Sequence, residues 1–330
     1  MIIKDKIWDK IVIQDDLVEK IIKDRDFQRL KDVSQFGIFK HCFLFDIEFS
    51  RFEHSIGVYY LLKKFGAKRD ECIAGLLHDI SHGAFSHVLD LIFINDGNEE
   101  YADSILFEKI SNSNIGKILK ENDFNLNKII NNKKHVILDR ELPNIAADRI
   151  DYTLRDPLGM NIQLAKKIVN SLKIIKGEFV FQNSFVANLF AQQYYILNNE
   201  FWSSAFWTVN HKLLAQIIKL SLEKNYIKKE DLFSLDDYQI TKMIEERKDK
   251  EILKLIKKIK SLDYHKIEIV GKDDKCDKYD YSWKKKNRFV DPKILIRKKV
   301  KKLSDINSEW RLKLEYFKKH PYFEYRVKLK

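Results

Sequence analysis

The stretch GLLHDISHGAFSH, from Gly75 to His87, places three histidines and one aspartate within ten positions of an otherwise apolar run. Burying His78, Asp79 and His82 there costs free energy unless other groups pair with them. Imidazole and carboxylate together suit Zn, Fe, Mn and similar ions without choosing among them. The pattern predicts part of a metal centre, with the His-Asp pair on a helix and its two side chains about 100° apart.

Two ligands do not complete a metal site, and two further candidates lie elsewhere in the chain. His54 stands in SRFEHSIG beside apolar positions at helical spacing, and Asp148 stands in NIAADRIDY after two alanines. Two histidines and two aspartates would hold one divalent cation and leave positions for water and a phosphate oxygen. The competing interpretation is a set of hydrogen-bonded core histidines, which is the usual role of a lone histidine on an apolar helix.

Composition indicates a mostly helical protein with a sizeable core. The 330 residues are 45% hydrophobic and include only 10 glycines and 4 prolines, so turns are few. The three cysteines (Cys42, Cys72 and Cys276) form no CxxC pair, which suits a reducing compartment. The N-terminal segment is too charged for a signal peptide, and no apolar run reaches the length of a spanning helix. We therefore expect a cytoplasmic protein without a membrane partner.

The positive charge is concentrated in the last third of the chain. Residues 211–330 hold 34 basic and 20 acidic residues, whereas residues 1–210 hold 27 and 29. Such a region could bind nucleic acid. The alternative is a solvated lysine-rich surface. Two observations favour it: arginine is scarce, and no aromatic-basic pattern recurs.

Hydrophobic periodicity predicts helices along most of the chain. The predicted segments are 17–40, 51–66, 69–77, 86–94, two helices in 99–132, a run ending at 156, a helix over 187–224 broken near Asn198, and helices over 228–261. Residues 173–182 alternate around a Lys-Gly turn and predict a hairpin, and 265–300 predict short strands.

Four segments, taken together, resemble the HD-superfamily phosphohydrolases, closest to the branch of deoxynucleoside triphosphate triphosphohydrolases that includes proteins with SAM and HD domains. They are FQRLKDVSQFG (27–37), RFEHSIGVYYL (51–61), AGLLHDISHGAFSH (74–87) and DRIDYTLRD (148–156). The resemblance extends over roughly residues 20–215, and VDPKIL (290–295) is a weaker match. It implies an all-α HD-domain fold over residues 1–225, with a smaller mixed α/β basic C-terminal part over 226–330 packed on that core.

The same resemblance implies roles for individual residues. The metal ligands would be His54, His78, Asp79 and Asp148. The catalytic groups would be Arg51, on a phosphate, and His82 and His87, as acid, base or charge-stabilising groups. The substrate would be held by Gln35 and Phe36 near the nucleoside, Tyr152 and Asp156 at the sugar, and Lys212 at the triphosphate. The cofactor would be a divalent metal ion (Mn, Fe, Zn, Mg, Co or Ni), and the chain would form a homo-oligomer, a dimer or larger.

The chain also departs from the family pattern. Glu99 or Glu100 stands where relatives have a histidine, Val209 replaces a tyrosine, and Phe201 replaces a phosphate-binding arginine. Lys23 stands where some relatives have an acidic residue that recognises guanine, so nucleotide-gated assembly of a tetramer is not carried over from the resemblance.

These features predict a metal-dependent phosphohydrolase, most specifically one that hydrolyses (deoxy)nucleoside triphosphates to nucleoside and triphosphate or cleaves a related nucleotide phosphate bond. Val209 and Phe36 would shape the sugar pocket, so weak discrimination between deoxy- and ribonucleotides is expected. The alternatives are a nucleotidase or phosphodiesterase acting on another nucleotide, and a nucleic-acid-binding protein with a vestigial HD site. Salt-sensitive retention on single-stranded DNA without phosphate release would favour the last of these.

Overall fold

The computed structural model describes residues 1–37, 49–94, 101–131, 134–156, 159–270 and 279–330. Helices dominate this part of the chain. In chain order they are α1 (Asp16–Lys23), α2 (Arg25–Arg29), α3 (Arg51–Lys64), α4 (Arg69–Leu77), α5 (Asp90–Phe93), α6 (Tyr101–Ser111), α7 (Asn114–Glu121), α8 (Leu126–Ile130), α9 (Ala147–Arg155), α10 (Ile162–Asn170), α11 (Ser184–Ile196), α12 (Ala205–Glu223), α13 (Lys229–Ser234), α14 (Asp237–Glu246), α15 (Lys250–Ser261), α16 (Leu303–Ile306) and α17 (Ser308–Lys319).

Short strands form three small sheets. The strands are β1 (Ile2–Asp5), β2 (Asp9–Val12), β3 (Leu172–Ile175), β4 (Glu178–Phe181), β5 (Ile267–Val270), β6 (Tyr281–Lys286), β7 (Lys293–Ile296), β8 (Lys299–Lys302) and β9 (Tyr322–Leu329). β1 and β2 form an antiparallel hairpin. A four-stranded sheet has the order β3-β4-β7-β8 with β4 and β7 parallel, and an antiparallel sheet has the order β5-β9-β6.

The described residues group into two compact units, each discontinuous in sequence. Unit 1 comprises residues 1–139 and 211–260, and unit 2 comprises residues 140–210 and 261–330. Unit 1 therefore takes the β1–β2 hairpin and most of the helices, and unit 2 takes the two larger sheets. The predicted division of the chain at residue 225 stays a prediction.

Helices α3 and α4 form the centre of unit 1, and local sequence fixes both. Ser50 and Glu53 make a reciprocal capping box at the start of α3, and Gly66 (φ +74°) follows its end. Close packing of the pair depends on Gly75, where a Cβ atom would lie 2.3 Å from Leu62 Cδ1. A side chain at position 75 would require the Leu62 side chain to move.

In unit 2, a π-helical segment over Leu197–Trp202 follows α11 and precedes α12, which continues into unit 1. The predicted break near Asn198 is therefore confirmed, and π segments are frequent at functional sites. Phe190 of α11 packs on Phe181 of β4, and the indole Nε1 of buried Trp310 donates to the Val290 carbonyl. These contacts form the core of unit 2.

The predicted fold class is confirmed, and α4 lies over the predicted residues 69–77. The hairpin over 173–182 and the strands within 265–300 are also present. The predicted helix over 17–40 is wrong in extent, because Asp24 is extended between α1 and α2 and a 3-10 turn ends the run at Asp32. Within the described residues, no helix is both long and apolar enough to cross a membrane.

Candidate metal and phosphate site

A buried ion pair lies at the centre of the site in unit 1. Arg51, in the first turn of α3, places Nη1 2.7 Å from Oδ2 of Asp79, and the guanidinium side chain is only 2% exposed. His54, one turn further along α3, is fully buried with Nε2 3.7 Å from the same Asp79 oxygen. Helix α3 therefore directs a cation and an imidazole at one carboxylate.

The His78–Asp79 pair lies beyond the end of α4, so the prediction that it sits within a helix is wrong. Helix α4 ends at Leu77, and the chain then turns tightly, with the amides of Ile80 and His82 donating to the carbonyls of Leu77 and Asp79. The two neighbouring side chains nevertheless approach each other, with His78 Nε2 3.5 Å from Asp79 Oδ1.

The imidazole and carboxylate groups of this turn fit a divalent cation. His78 Nδ1 lies 2.7 Å from the Gly75 carbonyl, so this nitrogen carries the proton and Nε2 has a lone pair. His78 Nε2 lies 3.2 Å from His54 Nε2 and 3.5 Å from Asp79 Oδ1. Two nitrogens each about 2.1 Å from one cation lie about 3.0–3.4 Å apart. Unit 1 thus brings the candidate metal donors His54, His78 and Asp79 close together.

The same surroundings determine protonation. Burial alone would raise the pKa of Asp79, but Arg51 and the neighbouring histidines hold it well below its usual range, so Asp79 is a carboxylate. Burial and the Arg51 charge lower the pKa of His82 well below its usual range. His82 is therefore a neutral imidazole, with Nε2 3.5 Å from Asp79 Oδ1.

His87 connects the ion pair to a second carboxylate. Arg51 Nη2 lies 3.2 Å from His87 Nε2, and since a guanidinium only donates, Nε2 accepts. His87 Nδ1 then carries the proton and faces Asp90 Oδ2 at 3.2 Å. Asp90 was not identified from the sequence; its signal is the i, i+3 spacing to His87. The arrangement orients a partly exposed imidazole, which is the requirement for proton transfer.

Gln35 and Phe36 lie on the segment that borders this site. The Gln35 carbonyl accepts from Arg51 Nη2 at 3.3 Å, and the Gln35 amide donates to Phe49 O at 3.0 Å. His211 of α12, another residue absent from the sequence predictions, hydrogen-bonds to the backbone of Phe36, and burial lowers the pKa of His211 to about 4. The predicted nucleoside-side residues are thus part of unit 1 beside Arg51.

Two buried residues with ionisable side chains, neither of them identified from the sequence, hold the turn in place. Arg29 of α2 donates through Nη2 to the carbonyls of His82 (2.6 Å) and Ile80 (3.3 Å). Asp237 of α14 accepts from the amide of Phe85 at 2.7 Å. Both contacts join segments far apart in sequence, which explains why no local pattern reveals them.

The remaining predicted metal ligand, Asp148, lies in unit 2. It is half-buried in the first turn of α9, after the buried residues Ala146 and Ala147. Elsewhere in the DRIDYTLRD segment, Arg155 Nε donates to Asp151 Oδ2 at 2.7 Å, and both side chains are buried. These two charged residues of the motif therefore stabilise α9 through an i, i+4 pair.

The two predicted sugar-side residues meet an aromatic cluster in unit 2. Asp156 Oδ2 accepts from the Trp202 indole Nε1 at 2.7 Å, and the hydroxyls of Tyr152 and Tyr194 lie 3.0 Å apart. The Trp202 ring packs edge-on against both tyrosine rings, with centroids 5.2 and 5.3 Å away. Trp202 belongs to the π segment, and neither it nor Tyr194 was identified from the sequence.

Other positions named from the sequence have mixed outcomes. Lys212 is half-buried on α12, and burial lowers its pKa. Val209 is 0% exposed, so its side chain offers no accessible surface to a sugar, contrary to the expectation. Glu99 and Glu100 lie outside the described residues.

Comparisons with known proteins place the residues of this site within one domain family. The HD domain family model matches residues 51–156, a range that includes Arg51, His54, His78, Asp79 and Asp148. The chain is 32% identical over 303 residues to the Bacillus subtilis protein YdhJ, covering 90% of each chain. It is 23% identical over 270 residues to the metal-dependent phosphohydrolase cns2 of Cordyceps militaris, covering 79% of this chain and 78% of the relative.

More distant similarities point the same way. Over 119 residues, 30% of this chain and 19% of the relative, it is 35% identical to the human deoxynucleoside triphosphate triphosphohydrolase SAMHD1. A solved phosphohydrolase from Bacteroides thetaiotaomicron shares the fold, with a TM-score of 0.67 at 16% identity, over 100% of this chain and 99% of that one. The chain belongs to the HD superfamily of metal-dependent phosphohydrolases.

Proposed function

We propose that this protein hydrolyses a phosphate bond of a nucleotide, most specifically of a (deoxy)nucleoside triphosphate. The observation that carries the proposal is the set of contacts around Arg51. One buried guanidinium contacts a carboxylate, Asp79, and a partly exposed imidazole, His87, next to a pair of histidine nitrogens. Such a set combines metal donors, a phosphate-binding cation and a proton-transfer group.

The metal donors are His54, His78 and Asp79, with Asp148 proposed as the fourth. Asp148 lies in the segment matched by the HD family model and in the motif that resembles the family's. When bound, a divalent cation polarises a phosphoryl oxygen and lowers the pKa of bound water. The donor types do not select among Mn, Fe, Zn, Mg, Co and Ni.

The chain's own residues supply charge and proton transfer. Arg51 carries a planar fork of donors that matches phosphate oxygens and neutralises charge developing on them. His87, with its Nδ1 proton held toward Asp90, is proposed to act through Nε2 as a base when Arg51 Nη2 turns from it to phosphate, or, after protonation, as an acid for the leaving oxygen. His82, neutral and buried beside Asp79, adds a nearby hydrogen-bonding group.

Nucleoside recognition is proposed for the residues that the family resemblance names. Gln35 and Phe36 would lie near the nucleoside, Tyr152 and Asp156 near the sugar, and Lys212 near the phosphates. Phe201 stands in place of an arginine, so a charge-assisted contact worth roughly 1.5–3 kcal/mol is missing. We therefore expect a weak preference for triphosphates over diphosphates.

The test is a screen of dNTPs, NTPs, the matching diphosphates and cyclic nucleotides with Mn, Mg, Co and Fe. Triphosphate, pyrophosphate and orthophosphate are resolved as separate products. Release of triphosphate from a dNTP supports the specific proposal. Release of orthophosphate alone indicates a nucleotidase. A preference for triphosphates over the matching diphosphates above about a hundredfold, near 2.7 kcal/mol, would contradict the expectation drawn from Phe201.

A further inference from the structure

Asp237 occupies a position that joins the two segments bearing the proposed phosphate and nucleoside groups. Its Oδ1 accepts from the Phe85 amide at 2.7 Å, and its Oδ2 accepts from the Ser34 amide at 3.0 Å. The side chain is 1% exposed. One carboxylate therefore satisfies two backbone amides that lie about fifty residues apart in the sequence, one on the Ser34–Gln35 segment and one in the turn after Asp79.

A second connection closes a ring of hydrogen bonds. The Ser86 hydroxyl donates to the Ser34 carbonyl at 2.6 Å and accepts from Arg51 Nε at 3.0 Å. Asp237 thus holds Ser34 and Phe85 from one side, while Ser86 joins the same segments to the guanidinium on the other. The position of Arg51 depends on where this ring places Ser86.

The turn needs such support because its backbone is strained. Phe85 and Ser86 have φ angles of 64° and 47°, in the left-handed region that disfavours side chains larger than glycine. The Ala84 amide donates to the Leu232 carbonyl at 2.7 Å, and the next amide, that of Phe85, donates to Asp237. Residues of α13 and α14 therefore hold two consecutive amides at the start of the strained pair. A strained backbone conformation persists only where several surrounding contacts hold it in place.

We propose that Asp237 is a positioning residue that fixes Arg51, His87 and the Gln35 segment in one arrangement. It contacts neither substrate nor metal and acts through Ser34, Phe85 and Ser86. The inference rests on the proposed phosphohydrolase function for its effect on rate, but the connection between the two segments is independent of any activity.

The experiment compares Asp237→Asn with the matched control Asp236→Asn in the full-length chain. Asp236 caps α14 by accepting from the Gln239 amide at 2.8 Å, and asparagine caps equally well. Hydrogen exchange is measured at peptides covering residues 33–37 and 82–88, together with bound Mn per chain, kcat and KM. In Asp237→Asn one amide loses its acceptor, because the asparagine NH2 group cannot accept a hydrogen bond.

We expect exchange in both peptides to rise about tenfold in Asp237→Asn, as local opening becomes easier. We expect kcat to fall about tenfold with KM nearly unchanged, since misplacement rather than lost contact limits the rate. Manganese content and the Asp236→Asn variant should match wild type. Unchanged exchange would overturn the connection, and raised exchange with unchanged kcat would overturn the positioning role.

If Asp237→Asn fails to fold, Ser86→Ala opens the same ring at its other side and should show the same pattern, with slower turnover and faster exchange at residues 33–37. Unchanged exchange and kcat in that variant would equally overturn the proposal. A wild-type protein that hydrolyses none of the screened nucleotides would contradict the proposed function instead, and the exchange comparison alone would then decide whether Asp237 holds the two segments.

Discussion

Arg51 Nη1 and Asp79 Oδ2 lie 2.7 Å apart, and both side chains are almost completely buried. The guanidinium also contacts Ser86, Gln35 and His87. A buried pair with further hydrogen bonds of this kind is costly to break on one side, because the remaining charge is left without compensation. The pair therefore has a structural role in addition to its proposed role at phosphate.

Replacing Arg51 by methionine tests that structural role. Arg51→Met leaves the Asp79 carboxylate buried without its cation, so the free energy of unfolding should fall by about 3–5 kcal/mol. The loss should shrink when Mn²⁺ is present, because the cation would compensate the Asp79 charge that is unpaired only in the variant. Urea unfolding with EDTA and with Mn²⁺ measures both effects.

The control for this variant is Arg69→Met. Arg69 pairs with Asp15, but its side chain is 56% exposed, and exposed pairs contribute about 0–1 kcal/mol. Equal losses of unfolding free energy in the two variants would show that the buried Arg51–Asp79 pair contributes no more to stability than an exposed pair.

Removing the carboxylate that faces His87 tests the proton-transfer assignment. Asp90→Asn leaves an oxygen for the Tyr101 amide but no charge to hold the Nδ1 proton. We expect kcat to fall about tenfold to a hundredfold, the lower range for general acid–base groups, with unchanged metal content. Asp103→Asn, on exposed α6 surface, is the control. Full activity in Asp90→Asn would exclude Asp90 from the mechanism.

Asp237 should make stability depend on pH. Burial raises its pKa to about 7 from 3.8, with Asp236 also raising it and Arg29 lowering it. Between these values the native state holds a proton that the unfolded state has released. The contribution of Asp237 to stability is therefore largest below about pH 4 and is lost as the pH rises toward 7, by on the order of 4 kcal/mol.

The check is the difference in unfolding free energy between wild type and Asp237→Asn at pH 5, 6, 7 and 8. Because asparagine does not titrate, the unfolding free energy of the variant relative to wild type should increase as the pH rises and become constant above about 7. A difference that is constant across this range would show that Asp237 keeps one protonation state throughout.

Trp202 tests the assignment of Asp156 to nucleoside recognition. Trp202→Phe keeps a ring against Tyr152 and Tyr194 but removes the donor to Asp156. Hydrogen bonds to charged groups contribute roughly 1.5–3 kcal/mol, so kcat/KM for a nucleotide should fall about tenfold. Hydrolysis of inorganic tripolyphosphate, if present in wild type, should be unaffected. Tyr195→Phe on α11 is the control, and equal losses with both substrates would place Trp202 outside nucleoside recognition.

The sequence predicted those parts of the fold that local patterns encode. Ser50 and Gly66 delimit α3, and the Lys176-Gly177 turn sets the β3–β4 hairpin with φ angles of 53° and 74°. The β1–β2 hairpin was missed, because its short, charged strands carry little apolar alternation. The end of α4 at Leu77 was predicted, but the tight turn that follows it and carries His78 and Asp79 was not.

The sequence predicted the residues of the candidate metal site, but it did not predict the buried residues that hold their backbone in place. His54, His78 and Asp79 follow recognisable motifs, and unit 1 brings them together. Arg29 and Asp237 act through backbone atoms of segments distant in sequence, so neither leaves a motif. The expected homo-oligomer, the cytoplasmic location and nucleic-acid binding by the basic C-terminal part stay predictions.

Bound metal and phosphate release in Asp79→Ala, measured beside wild type, test the central claim most directly. Wild type loaded with Mn²⁺ should hold metal after desalting and release phosphate products from a nucleotide in the screen. Because Asp79→Ala removes a carboxylate donor from the set formed with His54 and His78, both metal content and activity should collapse. Full metal occupancy and undiminished phosphate release in Asp79→Ala would contradict the assignment of this cluster as the metal site of a phosphohydrolase.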